Sequence, residues 1–396
     1  MVTNPLPTLS DSFVPLCEPE IRGNEWAYVK ECLDSGWVST AGSFVDRFEQ
    51  SVADFVGVRH SVATNSGTAA LHTALLVAGV EAGDEVLVST LTFIAPANAI
   101  RYVGAWPVFV DADAHYWQMD PDKAADFLEH KCRWLSGGLY NKETGRRVRA
   151  IMPVDILGHP ADIDPLLDLG RRYGLTVIED ATESLGAIYK DRRVGQSGDI
   201  ACLSFNGNKL ITTGGGGMVL TDNEEWARRA KHLTTQAKDD PFEYIHSQIG
   251  YNYRLTNVQA AIGLAQVERL APYVERKRRI ALTYREGLSE SSALLPMPEA
   301  QWAKSVFWMY TILVNEARTG PGSRALMREL ASRQIQTRPL WQPIHLSKAH
   351  QGSFATDCSV AELLHSRAVS LPCSVGLEPR VQNRVIENIA AILASV

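Results

Sequence analysis

From about residue 45 to residue 220, short apolar runs alternate with segments whose hydrophobic side chains recur at helical spacing, and few folds accommodate that alternation. Strands covered on both faces read as unbroken apolar runs, whereas a half-exposed strand alternates apolar with polar. The runs at 61–64, 85–89, 107–110, 150–154, 176–178, 201–205 and 218–220 are of the first kind. Between them lie helical patterns: Val45, Phe48, Val52 and Phe55 share one face and stop near Gly57, and residues 69–78 form a second, apolar helix. The expected fold class is α/β, with a mostly parallel sheet sandwiched by helices.

The rhythm then changes. From Thr256 one long amphipathic helical stretch carries Val258, Ile262, Val267, Leu270 and Val274, becomes basic at 276–279, and reads as a connector. After it come a strand at 307–314, a helix near 325–331, a strand at 335–340 and terminal helices, the pattern of a smaller α+β unit. The expected division is a large domain over 20–268 and a small C-terminal domain over 269–396, with the segment 1–19 packing against the latter. A polar stretch at 130–149, with Gly137-Gly138 and Arg146-Arg147, reads as an inserted loop or hairpin.

Charge narrows the function classes. Lysine and arginine number 39 against 45 acidic residues, a net charge of -6, and neither sign forms a block, so no nucleic-acid or membrane partner is expected. The six cysteines lie far apart without the spacing of a zinc site, which fits a reducing compartment and no metal. Residues 1–19 lack the basic-then-apolar pattern of a secretory signal, and the expected location is the cytoplasm.

Three features carry chemistry. Asn65-Ser66-Gly67-Thr68 joins a strand to a helix, an arrangement that aims backbone N–H groups and the positive helix end at an anion such as phosphate. Val177-Ile178-Glu179-Asp180 ends an apolar strand in two carboxylates; Asp180 could cap a helix or stand against a protonated ring nitrogen. Ser204-Phe205-Asn206-Gly207-Asn208-Lys209 follows another strand and precedes the glycine run 214–217, where a lysine can be desolvated into a reactive amine. Taken singly, each has an ordinary structural reading. Their order and separation, phosphate turn, then acid, then serine and lysine, point to one site.

These residues, together with Ser35-Gly36-Trp37, Thr92-Phe93-Ile94-Ala95, Glu179-Asp180-Ala181-Thr182-Glu183-Ser184 and Gly250-Tyr251-Asn252-Tyr253-Arg254-Leu255, resemble the DegT/DnrJ/EryC1/StrS sugar aminotransferases. The resemblance runs over almost the whole chain. It implies the fold-type-I architecture of enzymes that use pyridoxal 5'-phosphate (PLP), with a seven-stranded sheet in the large domain. By the same resemblance Lys209 carries the cofactor as a Schiff base, Asp180 pairs with its pyridine nitrogen, Phe93 stacks on the ring, and Gly67, Thr68 and Ser204 hold the phosphate. Glu183 stands where Gln or His is usual near the ring hydroxyl, and Gly215 stands where an acidic residue is common; both are departures. Asn252 and Arg254 match residues that reach the neighbouring subunit's site, which implies a homodimer with shared active sites. Trp37, Trp308 and His345 align with regions that line the sugar site.

The implied reaction takes an amino group from glutamate and delivers it to a ketone of a nucleotide sugar in two half-reactions. Residues 23–26, 32–39, 206–209, 233–240 and 371–374 resemble the branch of legionaminic-acid and bacillosamine enzymes, which aminate C4 of UDP-2-acetamido-2,6-dideoxy-hexos-4-ulose. Amination at C3 of a 3-keto sugar remains an alternative. A PLP-dependent sugar dehydratase of the same fold would carry histidine in place of Lys209.

Overall fold

The computed structural model describes residues 13–240, 242–315 and 322–394. Seven strands form the centre of the main sheet: β1 (His60–Thr64), β2 (Glu85–Ser89), β3 (Trp106–Val110), β4 (Arg147–Met152), β5 (Thr176–Asp180), β6 (Ile200–Ser204) and β7 (Gly217–Thr221). Their spatial order is β1-β7-β6-β5-β4-β2-β3, and every neighbouring pair is parallel except the two that involve β7. β2 is buried at all five positions and β6 at its first four, as strands with helices on both faces require.

The sheet is wider than the seven strands of the sequence-based expectation. Phe354–Ala355 adds a parallel strand outside β3, and the hairpin Cys132–Leu135/Gly138–Asn141 pairs with the beginning of β4, giving ten strands. That hairpin is the polar insert. Its arginines face away from the strand ends that carry the chemistry: Arg147 forks onto Asp84 at 2.9 Å, and Arg146 lies over Trp106 and near Glu85, all at the starts of β2 and β3.

The long helical stretch is two helices. Asn257–Val267 starts at a capping box in which Thr256 and Gln259 satisfy each other's backbone N–H groups, and the chain breaks at Glu268-Arg269 before Leu270–Gly287 begins. The expected strand at 335–340 is absent as a strand: only Ile335 and Arg338 make isolated bridges, to Val14 and Ser370. Short-range apolar alternation there had no long partner to pair with. Residues 294–295, 310–314 and 368–371 form a separate three-stranded antiparallel sheet flanked by Ser323–Ser332, Ser359–Arg367 and Pro379–Ala394. Residues 13–19 run beside it: Val14 exchanges backbone hydrogen bonds with Gln334 and Gln336, and Leu16 accepts from Cys373 N–H at 2.8 Å. Residues 1–12 lie outside the described residues.

The antiparallel strand β7 matters because of where it starts. Gly217 pairs with Thr64 and Ser204, and a Cβ on it would overlap the carbonyl of Ser66 and the N–H of Gly67. Only a glycine lets three backbone segments converge there. Gly217→Ala is expected to cost about 1–3 kcal/mol in urea unfolding, through overpacking against rigid backbone that displaces the Ser66-Gly67 turn.

Candidate active site

A cavity of about 340 Å³ opens at the carboxyl ends of the parallel strands, the place where sheets of this kind put ligands. Each wall is a strand end. β1 runs through Asn65 into Ser66, which caps the helix Gly67–Val77 by accepting from Ala69 N–H at 3.1 Å, so the helix start faces the cavity at Gly67 and Thr68. Gly67 packs so closely on β6 that a Cβ would lie 2.8 Å from Ser204 Cβ. β2 leads to Thr92 and Phe93, whose ring is 55% exposed and lines the opening. β5 delivers Asp180, β6 delivers Ser204, and the turn after β6 brings in Lys209.

The electrostatics follow from burial. Asp180 is 1% exposed and its carboxylate accepts from Thr182 N–H at 3.1 Å; burial raises its pKa, and the Thr182 bonds and the charge of Lys209 pull it back. Glu183 lies in the same wall, 5% exposed, and burial raises its pKa as well. Its Oε2 accepts from Leu157 N–H at 2.8 Å and its Oε1 lies 3.5 Å from Lys209 Nζ. The lysine side chain is 14% exposed, and its nitrogen also sits 4.0 Å from the centroid of the Trp308 ring. Trp308 is fixed by its indole N–H, which donates to Asn208 O at 2.7 Å, and by stacking on Trp341.

This donor set matches the groups of PLP. A helix start with two small residues and a serine suits a phosphate, a buried carboxylate suits a protonated ring nitrogen, an aromatic at the rim suits a ring face, and a desolvated lysine suits an aldehyde. When bound, such a cofactor supplies an electron sink for the bond broken at a neighbouring carbon.

Of the residues singled out in the sequence, the cavity therefore gathers Gly67, Thr68, Phe93, Asp180, Glu183, Ser204, Lys209, Gly215 and Trp308. Four others are not part of it within one chain. Asn252 meets the phosphate turn only through its carbonyl, which accepts from Asn65 Nδ2 at 3.2 Å. Arg254 lines a separate recess with Thr40, Gly42 and Lys231. Trp37 is 58% exposed beyond the end of the first helix, and its carbonyl accepts from Asn257 Nδ2. His345 is held between Thr90 Oγ1 at 2.8 Å and Glu362 at 3.0 Å. Conversely, Thr182, Asn206, Asn208 and Trp341 line the cavity. The two asparagines sit within the lysine motif; Trp341 had no local signal, since it arrives from the far end of the chain.

The companion of Asp180 faces away from the cavity. Glu179 is 2% exposed, and burial pushes its carboxyl up to about 7 against the N–H groups of Gly195 and Gly198. A carboxyl raised on folding stabilises the fold fully below its unfolded value, near 4.5, and that contribution is lost as pH rises through 7. Thermal unfolding of the cofactor-free protein should therefore move to lower temperature between pH 5 and pH 8, and Glu179→Gln should flatten the slope.

A model of the DegT/DnrJ/EryC1/StrS aminotransferase family matches residues 19–390. The GDP-perosamine synthase of Caulobacter vibrioides is 37% identical over 381 residues, 96% of this chain and 98% of that one. The GDP-perosamine synthase of Escherichia coli O157:H7 is 39% identical over 360 residues, 91% and 93% of the two chains. The crystal structure of S. venezuelae DesV in complex with a ketimine intermediate superposes with a TM-score of 0.85 at 30% identity, covering 96% of this chain and 98% of that one. The chain belongs to the DegT/DnrJ/EryC1/StrS aminotransferase family and is a PLP-dependent sugar aminotransferase.

Proposed function

We propose that this enzyme transfers an amino group from glutamate to the C4 ketone of UDP-2-acetamido-2,6-dideoxy-hexos-4-ulose, in the biosynthesis of a bacterial surface glycan or a legionaminic-type acid. The observation that carries the amino transfer is the placement of Lys209 and Asp180 on one cavity beside a glycine-rich helix start. The sugar rests on the resemblance of residues 233–240, 206–209 and 371–374 to the enzymes of that branch. The GDP-perosamine synthases among the relatives favour a second reading, a GDP-linked ketosugar.

In this proposal the chain's residues divide the work. Gly67, Thr68 and Ser204 bind the phosphate; Asp180 holds a proton on the ring nitrogen; Phe93 covers the ring face. Lys209 Nζ would hold the cofactor and serve as the group that moves a proton to and from the donor's α-carbon. Trp308 borders the sugar. Asn252 and Arg254 act in the site of a second copy of the chain, so the working unit is a homodimer; Trp37 and His345 belong with them on the substrate side. The division into a cofactor-bearing part, 20–268, and a covering part, 269–396 with 1–19, is part of the same proposal. So is a cytoplasmic setting; among the described residues no helix is long and apolar enough to cross a membrane.

Purified protein given glutamate and, separately, the UDP-linked and GDP-linked 4-keto sugars should form the amino sugar from the UDP substrate, with a 3-keto sugar as control. Turnover of the GDP-linked ketone alone would replace the first reading with the second. Lys209→Ala should reduce turnover to about a thousandth or less while the chain stays folded and retains PLP noncovalently. Asp180→Asn should slow the reaction about a hundredfold, because the ring nitrogen loses its anion; steady-state rates check both.

A further inference from the structure

Glu183 is anchored from both sides. Leu157 N–H, which donates to one carboxylate oxygen at 2.8 Å, is presented by a tight turn in which Leu157 has φ 61 and Gly158 has φ 87. That turn is closely packed: a Cβ on Gly158 would lie 2.7 Å from Trp308 N and from Val306 Cγ2. The other oxygen lies 3.5 Å from Lys209 Nζ, and the centroid of the Trp308 ring lies 4.0 Å from the same nitrogen. The lysine nitrogen thus neighbours both a carboxylate held by a backbone N–H and an aromatic ring, with 14% of its side chain exposed.

The neighbouring acids are committed elsewhere. Asp180, the other carboxylate that faces Glu183, is engaged by Thr182 N–H. Asp155 accepts from Ala161 N–H and Ser184 Oγ, and Glu179 from Gly195 and Gly198. Burial raises the pKa of the Glu183 carboxyl, whereas the positive charge of Lys209 and the Leu157 N–H bond lower it.

We propose that Glu183 is the proton partner of Lys209: it holds the ammonium in place and takes its proton when the amine attacks an aldehyde. The inference rests on the assignment of Lys209 as the cofactor-bearing amine. The step balances without an outside reagent. Ammonium, carboxylate and aldehyde become a carbon–nitrogen double bond, a neutral Glu183 carboxyl and one water, which carries off the aldehyde oxygen. When the lysine is released again, the proton returns to it. Glu183 therefore acts through the lysine, as a positioning residue.

The test uses cofactor-free protein mixed with PLP, read by visible absorbance, by mass spectrometry of the borohydride-trapped Lys209 adduct, and by infrared difference spectroscopy. In the wild type, a protonated-carboxyl carbonyl band should appear as the bond to Lys209 forms. Glu183→Gln keeps the acceptor for Leu157 N–H but cannot take a proton; it should lack the band and form the bond about a hundredfold more slowly. Glu183→Asp should retain the band at an intermediate rate, and it serves as the test should the Gln chain not fold. A band that persists in Glu183→Gln, or bond formation at the wild-type rate in a variant without the band, overturns the proposal. Absence of any trapped Lys209 adduct in the wild type would instead bring down the lysine assignment itself, and this inference with it.

Discussion

A lysine ammonium cannot be taken out of water cheaply, and the centre of this molecule is organised around that fact. The Lys209 side chain is mostly covered, yet a carboxylate lies 3.5 Å and an aromatic ring centroid 4.0 Å from its nitrogen. The carboxylate is itself pinned by a backbone N–H, and the aromatic by a hydrogen bond to the residue preceding the lysine. Remove any one of these and the others lose their reason for being placed as they are. The lysine's reactivity and the rigidity of its surroundings are therefore the same arrangement described twice.

That arrangement is reached by bringing together strand ends distant in sequence. β1, β2, β5 and β6 each end at the same edge of the sheet and each contributes a wall, while β7 enters from the opposite direction and places its first residue, Gly217, against the Ser66-Gly67 turn. The reversal of one strand is what lets a glycine run, a helix start and a serine occupy so small a volume. Burial then does the electrostatic work. Asp155, Glu179, Asp180 and Glu183 are all covered, and in each case burial raises the carboxyl pKa, with backbone or hydroxyl donors pulling back. Which acid faces the cavity is decided by alternation along β5: Glu179 and Asp180 are adjacent, so they point to opposite sides of the sheet. A shift of one position would exchange a structural acid for a functional one.

Much of this was legible in the residues. The short apolar runs matched all seven central strands to within a few positions, because a buried parallel strand needs a continuous apolar face and leaves that mark locally. The cavity-lining residues were legible for a related reason: Gly67, Thr68, Asp180, Ser204 and Lys209 lie at the ends of those strands or within a few residues after them, where sequence distance and spatial position coincide. The misreadings share the opposite cause. The helix after Thr256 breaks at Glu268-Arg269 although its apolar periodicity does not, and residues 335–340 look like a strand but have only bridges to pair with.

What the sequence determined by itself was the class of fold and the strand-end turns that carry Asp180 and Lys209, since each depends on contacts within a few residues. What only the tertiary structure decided was the company those residues keep. The pairing of Lys209 with Glu183, the Trp308 and Trp341 wall, the turning of Arg146 and Arg147 to the far edge of the sheet, and the separation of Arg254 and His345 from the cavity all join segments many residues apart. No local pattern encodes them, because they arise from how the sheet stacks its strands and which side chains then find each other in a space without water.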